Sequence, residues 1–251
     1  MNKPGNYTIY GLHTLQAVLD RSPERVLSVS LAKGKHDERT ALILREIERH
    51  GIALQRVDDK QLSKQLGDVN HQGVMAHVRP PQIGNDQDLL TDLAMLESSP
   101  LLLVLDGVQD PHNLGACMRS ADAAGAHGVV VPRDRACGLN ATVSKVASGA
   151  AELLPFYQVT NLARTLRELQ EIPLYCVGLA GEARASLYDC DLRGPLALVL
   201  GAEGSGLRRL TRETCDVLGK LPMLGSVESL NVSVTAGIAL FEAVRQRGVK
   251  A

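Results

Sequence analysis

Tryptophan is absent from this chain of 251 residues, and phenylalanine occurs only at Phe156 and Phe241. A core without large aromatics must be aliphatic, which suits Val/Leu strands covered by Ala/Leu helices. No apolar run approaches the length needed to span a bilayer, and no charged-then-apolar leader opens the sequence. A membrane role is not expected. The five cysteines, at 117, 137, 176, 190 and 215, form no CxxC pair and leave one over. That excludes a disulfide framework and a structural zinc site, and it predicts a reduced, cytoplasmic setting with no metal. Bulk basicity is missing too. The net charge is −1, so composition does not announce nucleic acid.

The charge that is present is uneven. Residues 1–79 carry 12 Lys/Arg against 9 Asp/Glu, residues 80–100 carry only four acids, and the rest is balanced. A mildly basic front, an acidic joint and a neutral rear describe two units and a linker. The pattern predicts a front domain over 1–78, a linker over 79–98 and a rear domain over 99–251. The front reads as a small α/β unit with strands near 7–10, 26–31, 52–57 and 71–78. The Pro80-Pro81 pair, Gly84 and three aspartates predict irregular chain over 79–88. The rear alternates strictly. Strands are expected at 101–105, 128–131, 153–158, 174–178, 196–200 and 217–221, and helices at 113–124, 141–149, 161–171, 206–215 and 231–247. That is a parallel sheet covered on both faces.

Three polar islands interrupt the rear unit, each after an apolar run. DPHNLGACMRSA over 110–121 opens a helix whose apolar positions are Leu114, Cys117, Met118 and Ala121. Asn113 and Arg119 are the odd members: a core helix requires neither, and both suit a ligand bearing phosphate or ribose, though a surface salt bridge would also account for Arg119. GAEGSG over 201–206 is not a dinucleotide fingerprint. Alone it could be only a tight turn, but Glu203 within it can hold an arginine or a hydroxyl. PMLGSVESLNVS over 222–233 leads into the last helix, where Asn231 suits an N-cap and Ser229 offers a second.

Taken together, in order and spacing, the islands resemble the three signature motifs of the SpoU (SPOUT-class, TrmH-like) RNA 2′-O-ribose methyltransferases. The resemblance covers the whole rear unit, and the front unit is similar to the substrate-binding domain of many members. It implies a C-terminal parallel-sheet α/β trefoil-knot domain behind a smaller N-terminal α/β domain. The layout, with YGLHTLQAVL near the start, looks most like members that methylate a guanosine ribose in the peptidyl-transferase region of 23S rRNA. The implied cofactor is S-adenosylmethionine, held by Gly201, Leu221 and Leu230 largely through backbone groups. A homodimer is implied, with the last helix and the first-island helix at the contact. The partner would be 23S rRNA or a pre-ribosomal large-subunit particle.

The reaction needs a ribose hydroxyl to lose its proton and attack an activated methyl group. Arg119 is expected nearest the nucleophile. A guanidinium stays protonated, so it stabilises the developing alkoxide or relays the proton through phosphate or water. Glu203 is expected to orient Arg119, Asn113 to position the ribose, and Ser229 and Asn231 to shape the pocket. Lys33, Lys35 and Arg39 are candidate phosphate contacts, though a solvated turn explains them equally. Other readings are a tRNA ribose methyltransferase, a catalytically silent rRNA-binding assembly factor, and a nucleotide-dependent oxidoreductase that lacks its fingerprint.

Overall fold

Serines alternate with apolar side chains over Val26–Ala32, and that alternation builds a half-buried strand. In the computed structural model, which describes residues 6–34, 37–67 and 69–248, it is β2 of a four-stranded sheet. Lys35 lies outside the described residues. The front elements are β1 (Tyr7–Tyr10), α1 (Leu12–Arg21), β2, α2 (Glu38–Arg49), β3 (Ala53–Val57), α3 (Asp59–Leu66) and β4 (Val74–Val78). Strand order is β1-β4-β2-β3, parallel between β2 and β3 and antiparallel elsewhere. Leu15, Val18 and Leu19 of α1 and Ile43 and Ile47 of α2 cluster with Val29, Leu31, Val74 and Ala76. A smaller cluster of Ala32, Val57, Leu62 and Met75 includes α3.

The elements that follow along the chain are β5 (Ile83–Gly84), α4 (Asp86–Ala94), β6 (Leu101–Asp106), α5 (Pro111–Ala123), β7 (Gly128–Pro132), α6 (Ala141–Val146), α7 (Ala150–Leu153), β8 (Phe156–Val159) and α8 (Leu162–Glu171). They continue with β9 (Tyr175–Leu179), β10 (Ala185–Ser186), β11 (Leu196–Gly201), α9 (Arg209–Thr214), β12 (Val217–Lys220) and α10 (Val232–Gln246). Eight strands run in the order β10-β12-β9-β11-β6-β7-β8-β5, and every pairing is parallel. Leu101 to Leu105 are almost wholly buried, as a central strand covered on both faces requires. The expected doubly covered α/β sheet is therefore present.

Three expectations shift. The stretch read as a joint is not irregular throughout. Ile83–Gly84 pairs with Phe156–Tyr157, and α4 follows at once. Asn85 accepts from the amides of Gln87 and Asp88, while Asp88 accepts from the Asn85 amide, so a capping box starts the helix despite the prolines. The helix expected over 141–149 breaks, because Ser148 and Gly149 take φ of 52° and 97°. The helix expected from 206 begins only at Arg209, since residues 206–208 complete a loop.

The front unit is not one continuous segment. The chain divides into residues 1–82 with 148–153, and 83–147 with 154–251. Within the first unit, Glu152 of α7 meets Arg25 at 2.6 Å and accepts from the Tyr7 hydroxyl. Gly149 sits against Thr14, where an added Cβ would lie 2.7 Å from Oγ1.

Candidate active site

In a parallel sheet all carboxyl ends share one edge, and the loops leaving that edge form the ligand site. Here β6 ends at Asp106 directly beside Gly201, the end of neighbouring β11. Past Asp106 the chain turns at Gly107, whose φ of 86° favours glycine. Asp110 then caps α5 by accepting from the His112 amide, and Pro111 takes the first helical position. Asn113 therefore stands in the first turn of α5, partly buried.

The loop after β11 folds back on itself. Gly206 donates its amide to the Ala202 carbonyl at 2.9 Å. Gly204 and Gly206 take φ of 77° and 64°, and a Cβ on Gly201 would lie 2.0 Å from the Gly206 carbonyl carbon. Only glycine fits at 201. The third loop, 221–231, leaves β12 with Leu221 buried and Leu224, Ser229 and Leu230 exposed, and it ends where Asn231 caps α10.

Asn231 joins the three islands. Its Oδ1 accepts from the Ser233 amide at 2.9 Å and the Ser233 hydroxyl at 2.6 Å. Its Nδ2 donates to Asn113 Oδ1 at 2.9 Å and to Glu203 Oε1 at 2.5 Å. Residues 118 positions apart in the chain are thus one hydrogen bond apart in space. Glu203 also accepts from the Val232 amide at 3.4 Å, so a carboxylate faces the N-terminus of α10, where a helix favours negative charge. Cys117 lies on the buried side of α5. Burial first, and then the Glu203 carboxylate, push its thiol up to about 12, so it stays protonated and is core.

Arg119 does not join this cluster. It is exposed on α5 and, among the described residues, forms no side-chain hydrogen bond or ion pair. Six residues of α-helix turn its side chain roughly a third of a turn from that of Asn113 and about 9 Å along the axis. Glu203 holds Asn231 instead of orienting Arg119. Ser229 is exposed beside Leu230. Lys33 is exposed and pairs with Asp58 at 3.2 Å, and Arg39 is exposed in the first turn of α2.

Two features escaped the sequence reading. Arg133 and Arg135 occupy the loop after β7, which lies against the turn after β6 through the Cys137 amide and the Val108 carbonyl. Asp106 is 1% exposed and meets Arg208. The signal for Asp106 was one acid closing the apolar run LLLVLD; for the arginine loop there was only local charge. Among the described residues, no helix is long and apolar enough to cross a membrane, and no group of three or more His, Cys, Asp or Glu is placed to hold a metal.

The model of the SpoU rRNA Methylase family matches residues 100–241, and that of RNA 2′-O ribose methyltransferase substrate binding matches 8–84. The chain belongs to the SpoU rRNA methylase family. It is similar to the 23S rRNA (guanosine-2′-O-)-methyltransferase RlmB of Vibrio vulnificus, with 55% identity over 96% of this chain and 98% of that protein. The RlmB of Pectobacterium atrosepticum is 56% identical over 96% and 98%. The solved SpoU methyltransferase AviRb of Streptomyces viridochromogenes, in complex with AdoMet, matches with a TM-score of 0.76. At 24% identity over 97% of this chain and 91% of that one, it shares the fold. The SpoU expectation drawn from the three islands therefore holds for both units.

Proposed function

We propose that this chain transfers a methyl group from S-adenosylmethionine to the ribose 2′-hydroxyl of a guanosine in 23S rRNA. The decisive observation is Asn231 bridging Asn113 and Glu203, which draws three distant islands to one sheet edge. The chain is also 55% identical, over nearly its full length, to a 23S rRNA guanosine 2′-O-methyltransferase. In finer detail, we place the guanosine in the peptidyl-transferase region, on 23S rRNA or a pre-ribosomal particle, in the cytoplasm.

The edge fits the cofactor. The 201–206 loop is tight and rich in main-chain groups, and its single acid is Glu203. Arg208, the first cation after it, is engaged by Asp106. A pyrophosphate would meet a carboxylate where it needs a helix N-terminus or cations; a sulfonium with an uncharged base does not. Gly201, Leu221 and Leu230 would hold it. Bound S-adenosylmethionine supplies a methyl group activated by positive sulfur. Asn113 positions the ribose, Asn231 holds Asn113 and Glu203 together beside it, and Ser229 donates a hydrogen bond there. Arg119 stabilises the alkoxide as the 2′-oxygen gives up its proton to phosphate or water.

Because Asn113 and Arg119 point apart on one helix, we place Arg119 in the site of a second copy. Val234 and Phe241 are half-exposed on α10, and Val227 and Leu230 are exposed just before it. Val234 and Phe241 are seven residues apart and so share one face of α10, and an exposed apolar face of this kind fits a homodimer contact. Lys33 and Arg39 are proposed phosphate contacts. An exposed pair such as Lys33–Asp58 is worth at most about 1 kcal/mol, so phosphate displaces the acid readily.

The test is incubation with labelled S-adenosylmethionine and 23S rRNA from a strain lacking the modification, followed by mapping of the labelled ribose. One guanosine 2′-oxygen is expected. Label only in tRNA would move the substrate to tRNA, and no label in either would make the chain a silent assembly factor.

A further inference from the structure

Asp106 closes an apolar strand with its side chain fully buried. A lone carboxylate there would cost several kcal/mol. Among the described residues, Arg208 satisfies it. The Arg208 amide donates to Oδ2 at 2.9 Å and its Nε to Oδ1 at 2.5 Å, and Nη2 also meets Oδ1. The two residues stand 102 positions apart. Arg208 is the second residue after GAEGSG, while Gly201, which starts that loop, pairs directly with Asp106 in the strand ladder.

The loop is therefore held at both feet by one residue of β6. Its entry is fixed by the ladder beside Asp106, and its exit is fixed by the Asp106 carboxylate. Between the feet, the Gly206–Ala202 bond and the missing room at Gly201 leave the main chain little freedom. At the tip, Glu203 reaches Asn231 and the Val232 amide. The guanidinium of Arg208 is 44% exposed, so the clamp lies at the surface of the site rather than deep in the core.

We propose that Asp106 and Arg208 are positioning residues, which clamp the 201–206 loop in the shape that binds the methyl donor and keep Glu203 on Asn231. The proposal rests on the reading of this edge as the cofactor site. Neither residue has to touch the reacting atoms. The planar fork and the amide act as a unit, so a lysine at 208 would keep the amide bond and a point charge but lose the two-point grip.

The experiment compares Asp106→Asn, Arg208→Ala and Arg208→Lys with the wild-type chain in three measurements. Calorimetric titration with S-adenosylmethionine should show Kd raised about tenfold or more for the first two, as for loss of one charge-assisted hydrogen bond, with Arg208→Lys in between. Amide exchange of the protein without ligand should be faster in the 201–208 peptide and unchanged in β6, β7 and α5. At saturating cofactor, kcat should fall less than KM rises. Kd within twofold of wild type in both Asp106→Asn and Arg208→Ala would overturn the clamp, as would accelerated exchange spread evenly over the rear unit. If Asp106→Asn does not fold, Arg208→Ala, whose side chain is half in solvent, decides alone. Failure of the wild type itself to bind the cofactor would instead remove the functional reading.

Discussion

Glu152–Arg25 in the front unit and Asp106–Arg208 in the rear each bury a carboxylate against an arginine, and the two pairs differ in how they are closed. In the front unit Glu152 is 1% and Arg25 10% exposed. Arg25 also donates to the Arg79 carbonyl at 3.0 and 3.1 Å and to the Glu152 carbonyl at 3.4 Å, and Tyr7 takes the second carboxylate oxygen. Every polar atom is spent on the fold. In the rear unit Asp106 is equally buried, but its arginine stands 44% exposed beside a loop of glycines. The closed pair specifies which segments make the front unit; the open pair specifies the shape of a binding loop. In these two pairs the buried carboxylate holds a distant segment, and the exposure of its arginine separates the pair closed inside the fold from the one that borders a loop.

The largest effect that would break this contrast is loss of Glu152. Glu152→Ala leaves the Arg25 cation buried without its acid and should cost about 3–5 kcal/mol of front-unit stability. Denaturant titration measures it. The same variant should bind S-adenosylmethionine as the wild type does, because Glu152 takes no part in the rear edge. Wild-type stability would show that the closed pair holds nothing, and a weakened cofactor would erase the distinction between the pairs.

Arg119→Ala comes next and probes the opposite situation, a cation with no hydrogen-bond or ion-pair partner among the described residues. Its single-turnover methyl-transfer rate should fall about 10²–10³-fold, as for removal of one transition-state donor. Cofactor Kd and Tm should hold, since replacing an exposed side chain that holds no hydrogen bond or ion pair among the described residues leaves the fold untouched. Mixing Arg119→Ala with Asn113→Ala subunits sharpens the point. If the two residues serve one site from different copies, the mixed dimer regains one intact site and measurable activity. Two silent variants that stay silent on mixing would place both residues in the same subunit's site.

These residues also mark how far the sequence could be read. LLLVLD and GVVVP announce buried parallel strands, because unbroken Leu/Val runs need cover on both faces. Asn113 and Asn231 stand out because an amide beside a helix start is a polar choice on an otherwise apolar stretch, and the structure joins them. The knob of information missing in each failure is the distant partner. Asp106 looked like the end of a strand until Arg208 arrived 102 residues later. Glu203 was paired with an arginine by chemistry alone and is held by Asn231. Residues 148–153 read with the rear unit, between a helix ending at 149 and a strand starting at 153, since local periodicity carries no sign that Glu152 serves Arg25. The strands β5 and β10, with two residues each, are too short for any alternation to show.

Asp86 gives the smallest effect and a third case, an acid shared among neutral donors. It stands in the first turn of α4, 20% exposed. Burial pushes its carboxyl up, but the Thr160 amide at 3.1 Å, the Thr165 hydroxyl at 2.9 Å and Arg164 at 3.7 Å together hold it below the usual carboxylate range. A depressed folded value means that the acid stabilises the fold above its unfolded pKa of about 3.9 and loses that contribution as pH falls through the folded one. The partners are neutral hydroxyls and amides, with one loosely placed cation. The stake should therefore stay near 1 kcal/mol, well under either buried pair. Asp86→Asn should thus melt slightly below wild type at neutral pH, and the gap should begin to narrow below about pH 4, the unfolded value, and close as pH falls through the lower folded one. A gap that stays constant down the whole titration would assign the loss to packing of the amide and leave the charge of Asp86 without a role.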